Sequence, residues 1–340
     1  MGENRDFGRG SINKMDEREI MASWNKEYNY NPVVTIMCIV FNHEEYIAQC
    51  IEGFVMQITS FPFVIVIHDD ASTDSSAEII RRYAKRYPHI IKPVMEKENI
   101  YSKGTLFFEN EIQQYTKTKY IATCEGDDYW SDPTKLQKQF DYLESNPECI
   151  AVGHLTKSID KNGEIVNTFV DSKPGFYTKG DNEKWQLFSH YSSYFYRNIL
   201  LEMDEKEKEK FFALSVPGDR KYPILFMKYG KLYVLDDEMS VYRFMSCPTS
   251  FTSNNESKGY FEFVELEKYA KSIGIDVNYE MIKKNQLYSA FVQFIRKGDK
   301  GLFNILRERN NMLLDLFDCI LHCIIMFPSL LIRKIKNCKK

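Results

Sequence analysis

The sequence lacks the signatures of several classes of binding protein. Its eight cysteines include no CxxC pair, so neither a zinc ribbon nor a CxxC redox site is indicated. They are scattered along the chain, which favours reduced and mostly buried thiols in a cytoplasmic protein over a disulfide framework. The first twenty residues are polar and contain no apolar core, so no secretory signal is predicted.

A dominant charge and glycine-rich phosphate motifs are absent as well. The chain has 45 basic and 48 acidic residues and a net charge of -3, so no nucleic-acid partner is expected. Neither GxxxxGK[ST] nor GxGxxG occurs, which excludes a P-loop and the dinucleotide-binding fingerprint. A chain of 340 residues can nevertheless bury a sizeable core, in one large or two modest domains.

What is present is an alternation of strand and helix patterns. Residues 33–41 are rich in β-branched side chains and predict a strand buried on both faces. The next helix is indicated by Ile47, Ile51, Phe54 and Val55 at helical spacing. Further elements follow, namely a strand at 63–67, a helix capped by Ser72, Thr73 or Asp74 and ending near Pro88, an edge strand at 90–95 containing Pro93, a helix at 104–118 and a strand at 119–124. This order predicts an α/β fold with a mostly parallel sheet covered by helices on both faces.

Polar side chains follow three of the predicted strands, where ligands of such sheets bind. They are Asn42 and His43, then Asp69 and Asp70, then Glu125, Asp127 and Asp128. One pair of aspartates alone would more often be a turn or a helix cap, but three coincident strand ends favour a site. Because the last three carboxylates repel one another, a positive group is expected beside them.

The oxygen ligands at 125–128 suit Mg²⁺ or Mn²⁺, which proteins usually bind through one or two carboxylates together with substrate phosphates. Since no glycine-rich cradle is available, the ion would carry most of the phosphate charge. A nucleotide diphosphate is therefore the expected ligand.

Three runs, in this order and near these spacings, resemble the family 2 glycosyltransferases of bacteria: VVTIMCIVFNHEEYI, VIVIHDDASTDSS and CEGDDYWSDPTKLQKQ. The resemblance covers roughly residues 33–243. It implies the Rossmann-like GT-A fold and a metal-dependent enzyme, with Mn²⁺ or Mg²⁺, that moves a sugar from a nucleotide-diphosphate donor to an acceptor hydroxyl with inversion. The QxxRW element of processive synthases is absent, so transfer of one hexose-like sugar per encounter is expected.

The resemblance also assigns roles to the acidic residues. Asp70 matches the aspartate that reads the nucleotide base. Asp127 and Asp128 match the metal-binding DxD element, with Asp128 expected as the direct ligand and Asp127 nearer the ribose or donor sugar. Glu125 occupies the first acidic position of that element and is expected to contact substrate.

Three further residues are expected to bind substrate, namely Phe41, Asn42 and Trp130. Where the family often has threonine and tyrosine in the first strand, this chain has Ile39 and Phe41. A phenylalanine could stack on a base but could not donate a hydrogen bond. Base specificity therefore stays open, although a UDP-sugar is the favoured donor.

The second half supplies a candidate general base. Residues 215–243 resemble the family segment in which a Gly-Asp aspartate is the base, and here that residue is Asp219. An attacking hydroxyl needs such a base because its pKa lies far above 7. The alternative is that Asp219 caps a helix after Pro217.

Two other segments of the second half are also interpreted. The acidic cluster at 236–238 is interpreted as a solvated turn. The run HYSSYFYRN (190–198) is interpreted as an acceptor-side strand whose aromatic rings either stack on sugars or pack in the core.

The predicted organisation has three parts. The first is an N-terminal extension at 1–32. The second is the GT-A domain at 33–245, which has a nucleotide-sugar half at 33–130 and an acceptor half at 131–245. The third is a helical region at 246–340 with an apolar and basic tail. The tail from 312 is interrupted by charged residues and by Pro328, which argues against a spanning helix. Two alternatives stay open for it, an interfacial helix resting on anionic lipid at the inner face of the cell membrane and a segment docked on the protein's own core.

Two functions stay open. The first is a glycosyltransferase acting on a glycan or lipid-linked acceptor in the biosynthesis of capsule, O-antigen or another surface polysaccharide. The second is a non-catalytic GT-A module that binds a nucleotide-sugar or glycan. A phosphatase of the DxDGT type is excluded because the run DDAST lacks that spacing.

Overall fold

The computed structural model describes residues 16–103, 114–167, 172–184, 186–244, 256–298, 301–309 and 314–321. The chain divides into two compact units. The first comprises Met1–Thr178 and Gln186–Phe244, and the second comprises Lys179–Trp185 and Met245–Lys340. The domain boundaries inferred from the sequence remain predictions.

A sheet of nine strands forms the centre of the first unit among the residues described. The strands are β1 (Val34–Val40), β2 (Phe63–Asp69), β3 (Ile91–Met95), β4 (Tyr120–Glu125), β5 (Tyr129–Trp130), β6 (Cys149–Ile159), β7 (Gly175–Tyr177), β8 (Phe195–Arg197) and β9 (Lys231–Arg243). Their order is β3-β2-β1-β4-β8-β6-β9-β5, with β7 paired to β9. The first four strands of this order are parallel, as are β6 and β9, whereas β5, β7 and β8 run antiparallel to their neighbours. The predicted mostly parallel sheet is confirmed.

The first helical pattern is confirmed along with the strand that precedes it. In β1 every position is buried except Ile39, which is half-buried. The apolar residues predicted to lie on one face of helix α2 (Ile47–Val55) pack into the core around β1. The ring of Phe54 lies edge-on to the ring of Trp130, with their centroids 4.8 Å apart. Fully burying one such side chain contributes about 1.5–3 kcal/mol, so this contact fixes the helix against the sheet.

The N-cap of helix α3 (Ser76–Arg86) is Ser75, which makes no side-chain capping bond, so the prediction of Ser72, Thr73 or Asp74 as the cap was wrong. The carboxylate of Asp74 accepts hydrogen bonds from the backbone N–H of Ser76 at 2.9 Å and of Glu44 at 3.0 Å. The second bond reaches the loop after β1. From the position before the N-cap, Asp74 therefore satisfies the first N–H of the helix and also joins the loops that follow β1 and β2.

The predicted edge position of the strand with Pro93 is confirmed, because β3 pairs only with β2 among the described strands. Most of the helix predicted at 104–118 lies outside the described residues.

Part of the predicted N-terminal extension packs into the first unit's core. Ile20, on helix α1 (Glu17–Ala22), and Trp24 are buried, and the Trp24 ring lies 5.7 Å from that of Phe63.

The remaining helices are α4 (Lys135–Ser145), α5 (Lys179–Glu183), α6 (Glu205–Phe212), α7 (Gly218–Tyr229), α8 (Glu256–Ser272), α9 (Glu280–Lys297) and α10 (Gly301–Glu308). Helices α8 to α10 belong to the second unit and confirm the predicted C-terminal helical region. They enclose a core of their own that contains Tyr260, Leu287, Phe291, Leu302, Ile305 and Leu306.

The start of the C-terminal tail is helical at 314–321. Its Cys319 is fully buried in the second unit's core, and Leu316 packs against that core. The side chains of Leu314, Phe317, Ile320 and Leu321 are exposed. Part of the tail therefore docks on the protein itself, as one alternative predicted, while residues 322–340 lie outside the described part.

Among the described helices, none combines the length and the apolar content needed to cross a bilayer. The described cysteines are buried and form no disulfide with one another, as predicted; they are Cys38, Cys50, Cys124, Cys149 and Cys319.

Candidate active site

Parallel pairing brings the polar ends of β1, β2 and β4 to one edge of the sheet. Val40 of β1 pairs with Asp69 of β2, and Ile39 of β1 pairs with Glu125 of β4. The ladder continues one residue further, where the N–H of Gly126 donates to the Ile39 carbonyl at 2.9 Å. The acidic strand ends predicted to share a site therefore lie together.

The glycine inside the acidic run is required by a close approach. A Cβ atom at Gly126 would lie 2.8 Å from His43 Nδ1 and 2.8 Å from Val40 Cγ2. No side chain fits there without moving the end of β1. Gly126 therefore lets the chain turn tightly past β1 and places Asp127 and Asp128 at the edge of the sheet.

Asp128 is completely buried and both of its carboxylate oxygens accept hydrogen bonds. Oδ2 accepts from the hydroxyl of Ser192 at 2.6 Å, and Oδ1 accepts from the backbone N–H of Arg243 at 2.9 Å. Burial raises the pKa of Asp128 well above its ordinary value, and the neighbouring Asp127 adds to the increase. The carboxylate thus joins β4 to two distant parts of the chain.

The positive group expected beside these carboxylates is Arg243, at the end of β9. Its guanidinium donates to the backbone carbonyl of Asp127 and, at 2.5 Å, to the side-chain oxygen of Gln49. The same guanidinium lies 4.7 Å from the ring centroid of Tyr129 and 4.9 Å from that of Tyr46. The sequence predicted the charge but did not identify the residue.

Glu125 connects the acidic strand end with the predicted base. Its side chain is exposed to solvent, although much of its surroundings is protein. This environment raises its pKa well above the ordinary value, and the carboxylates of Asp127, Asp128 and Asp219 each raise it further. The structure therefore brings Asp219 within electrostatic reach of the acidic strand end.

One group of side chains in the described part of the chain could hold a metal ion. Oxygen atoms of Glu125 and Asp128 and a ring nitrogen of His190 all lie within 4.8 Å of one another. His190 Nδ1 is 3.6 Å from Asp128 Oδ2, and burial lowers the pKa of His190 to about 3, so its imidazole is neutral. Carboxylates and a neutral imidazole fit Mn²⁺, and the carboxylates alone fit Mg²⁺.

Neither His190 nor Ser192 has a role predicted from the sequence, although both lie in the predicted acceptor-side segment 190–198. Strand β8 runs antiparallel to β4, so the residues that precede β8 lie beside the carboxyl end of β4. The backbone N–H of Ser192 also donates to His190 Nδ1 at 3.3 Å. The signal for both residues was their position just before an antiparallel neighbour of the acidic strand.

Asp219 lies in the first turn of α7, which begins after the N-cap Pro217. It is therefore inside the helix and not at the cap position that the alternative interpretation required. Its Oδ1 is buried and has no hydrogen-bond partner among the described residues. Burial raises the pKa of Asp219, and the cation of Arg220 opposes that increase.

Asp70, predicted to read the base, is buried with both oxygens engaged. Oδ1 accepts from the backbone N–H of Ile100 at 2.7 Å and Oδ2 from that of Tyr101 at 3.2 Å. The base-reading role stays a prediction. The adjacent Asp69, which received no role, has a buried Oδ1 without a partner in the described part of the chain.

Three predicted substrate-binding residues differ in their accessibility. Phe41 is 43% exposed and so available to a ligand. Asn42 has a left-handed backbone (φ 57°), and its side-chain oxygen accepts from the N–H of Thr73 at 2.8 Å. The substrate-binding role predicted for Trp130 is corrected, because its side chain is 1% exposed and its indole N–H donates to the Ser192 carbonyl at 2.7 Å. It is a core residue beneath the site.

The aromatic residues of 190–198 pack mostly in the core. Tyr194, Phe195 and Tyr196 are at most 3% exposed. The core-packing alternative therefore holds for these three rings.

The sequence is similar to a known protein family and to several individual proteins. The family model described as Glycosyl transferase family 2 matches residues 35–201. An uncharacterized protein of Mycobacterium tuberculosis is 32% identical over 210 residues, which cover 62% of this chain and 58% of that relative. A poly(ribitol-phosphate) beta-glucosyltransferase of Bacillus spizizenii is 29% identical over 142 residues, covering 42% of this chain and 22% of that protein. The match thus leaves much of both relatives uncovered.

Among solved structures, that of S. aureus TarS in complex with UDP-GlcNAc superposes with a TM-score of 0.57 at 17% identity. The superposition covers 80% of this chain and 79% of that one. At this identity the likeness shows the fold, which is GT-A. The family model identifies residues 35–201 as a glycosyltransferase family 2 domain.

Proposed function

We propose that the protein transfers a sugar from a nucleotide-diphosphate donor to an acceptor hydroxyl, with inversion and with Mn²⁺ or Mg²⁺ as cofactor. The observation that carries the proposal is the carboxylate of Asp219. Its Oδ1 is buried without a partner in the described part of the chain, and its charge acts on Glu125 at the acidic strand end. An unpaired buried oxygen is costly unless a ligand uses it.

Asp219 acts as the general base in this proposal. Its raised pKa makes the carboxylate a stronger base than an exposed aspartate, which suits the removal of a hydroxyl proton. The acceptor oxygen forms its bond to the anomeric carbon as its proton passes to Asp219. The bond between that carbon and the diphosphate oxygen breaks on the opposite face, and the diphosphate leaves with the electron pair.

Asp128 would hold the divalent ion together with Glu125 and His190, whose ligand atoms lie within 4.8 Å of one another. Asp127, which the family resemblance also gives as a ligand, is not among these three residues. Among the residues that the structure describes, each oxygen of Asp128 accepts one hydrogen bond, so lone pairs remain for a ligand. When bound, the ion neutralises negative charge on the diphosphate. Arg243 offsets part of the carboxylate repulsion before the ion binds.

The donor lies on the ends of β1 and β2. Phe41 offers an exposed ring to the base, and Asn42 and Asp70 shape the two loops around it. A UDP-sugar is the donor we propose, which is supported by the GT-A neighbour whose structure contains UDP-GlcNAc. In this proposal Asp127 lies nearer the ribose or donor sugar, and Glu125 contacts the substrate.

The acceptor we propose is a glycan or a lipid-linked precursor of a surface polysaccharide such as capsule or O-antigen. Two observations support it. A relative is named for glucosylation of poly(ribitol-phosphate). In addition, the exposed apolar side chains at 314–321 precede a sequence with five basic residues, a combination suited to an anionic membrane surface at the inner face of the cell membrane.

A donor screen tests the proposed function. The full chain is incubated with Mn²⁺ and a panel of UDP-, GDP- and dTDP-sugars, and release of the nucleotide diphosphate is measured with and without EDTA. Metal-dependent turnover of one donor class supports transfer. Tight donor binding with no turnover for any donor would instead leave the non-catalytic GT-A module.

A further inference from the structure

Helix α7 contains a proline at a position that matters for Asp219. In an α-helix the carbonyl of each residue accepts from the N–H four positions later, and the residue four positions after Asp219 is Pro223. Proline has no N–H to donate. The carbonyl of Asp219 therefore lacks the helical hydrogen bond that would normally fix it.

The hydroxyl of Tyr194 supplies that missing donor. It donates to the Asp219 carbonyl oxygen at 3.1 Å. Tyr194 is fully buried, and its ring packs against those of Phe188 at 5.2 Å and Tyr191 at 5.6 Å. A rigidly held hydroxyl of this kind fixes the backbone that carries the carboxylate.

The backbone of Tyr194 is tied to the acidic strand. Its carbonyl accepts from the N–H of Thr123 at 3.1 Å, two residues before Glu125. One residue therefore links the strand that ends in the carboxylates to the helix turn that carries Asp219. The link spans the two sides of the proposed reaction.

We infer that Tyr194 is a positioning residue that holds Asp219 at a fixed distance from the donor side, and that Pro223 makes Asp219 depend on it. The inference rests on the proposed role of Asp219 as base. Removing the hydroxyl leaves the Asp219 carbonyl without a donor and frees the first turn of α7. Since an error of about 1 Å in a reacting group can cost up to roughly 10²-fold in rate, a loss of about tenfold in kcat is expected.

The test compares four variants of the full chain with its Mn²⁺-bound donor. Tyr194→Phe should lower kcat about tenfold and leave the KM for the donor unchanged. In Tyr194→Phe combined with Pro223→Ala, the new N–H at position 223 can donate to the Asp219 carbonyl, so most of the kcat should return. Pro223→Ala alone should stay near the parent activity. Tyr196→Phe is the matched control, because it removes another buried hydroxyl from the same segment.

The outcomes separate the inference from the function it rests on. Full activity in Tyr194→Phe, or a loss that Pro223→Ala does not restore, would overturn the positioning role. An equal loss in Tyr196→Phe would do the same, since it would indicate general damage to packing. Retained activity in Asp219→Asn would instead remove the proposed base itself.

Discussion

Asp219 and Asp128 have different tasks in the proposed reaction, and single substitutions separate them. A positioned base typically contributes about 10² to 10⁴ in rate. Asp219→Asn should lower kcat by that order and leave donor affinity intact, whereas Asp128→Asn should weaken both turnover and Mn²⁺-dependent donor binding. Steady-state kinetics and donor titration measure the two effects. Retained kcat in Asp219→Asn would move the search for the base to Glu125 or the cluster at 236–238.

The raised pKa values of Glu125, Asp128 and Asp219 also make folding depend on pH. The ordinary pKa is 4.5 for glutamate and 3.8 for aspartate. At a pH above these ordinary values, the three carboxyl groups keep protons in the folded chain that they have lost in the unfolded chain. Stability then falls as pH rises through the raised values. Because burial lowers the pKa values of His154 and His190, those two groups act in the opposite direction between pH 5 and pH 8. We therefore expect the change in melting temperature from pH 5 to pH 8 to be less favourable in the metal-free parent than in Asp128→Asn.

The ionisation of the same three carboxylates should also determine how much a bound metal raises the melting temperature. At pH 8 they are more fully ionised than at pH 5, so Mn²⁺ with UDP should raise the melting temperature more at pH 8. In Asp128→Asn the pH-dependent part of that increase should shrink. Equal stabilisation at both pH values in the parent protein would argue against metal binding at these groups.

At the scale of elements, the close packing of β1 against the turn after β4 can be tested at Gly126. Gly126→Ala would place a Cβ atom 2.8 Å from His43 Nδ1 and Val40 Cγ2. We expect a loss of roughly 1–3 kcal/mol in the free energy of unfolding, together with weaker Mn²⁺ and donor binding, because the turn carries Asp127 and Asp128.

Gly230 offers a matched control for that element. A Cβ there would lie 2.8 Å from the backbone oxygen of Glu148, next to Ile150 and outside the group of residues assigned to the site. Gly230→Ala should destabilise the fold to a similar degree and leave donor binding unchanged. Denaturant titration and donor titration distinguish the two variants, and intact binding in Gly126→Ala would contradict the role given to the turn.

At the scale of the whole molecule, two truncations test the two alternatives for the tail. A chain ending at Asn311 removes Leu316 and Cys319 from the second unit's core, so that unit should lose stability. A chain ending at Leu321 keeps those contacts and loses the basic end. It should fold, retain activity on a soluble acceptor, and bind phosphatidylglycerol vesicles more weakly than the full chain.

Vesicle sedimentation at low and high salt measures this effect. Binding of the full chain to phosphatidylglycerol should weaken with salt, and phosphatidylcholine vesicles should bind little. Unchanged binding by the chain ending at Leu321 would remove the basic end from the membrane proposal.

The sequence by itself determined the four parallel strands β1 to β4 and where their acidic ends lie. Strands such as β1 are specified locally, because a short run of β-branched residues can bury both faces only inside a parallel sheet. The order of strands and helices then places Asp70 and Glu125 at the same edge. The family resemblance added the expected roles, including that of Asp219.

Only the tertiary structure decided which side chains surround those carboxylates. Asp128 is joined to Ser192 across 64 positions and to Arg243 across 115, and no local pattern records such contacts. The two residues of β5 illustrate the same limit. Alternation along a strand sends Tyr129 and Trp130 to opposite faces, but only the packing of β5 against β9 and α2 determines that Trp130 is buried while Tyr129 faces Arg243.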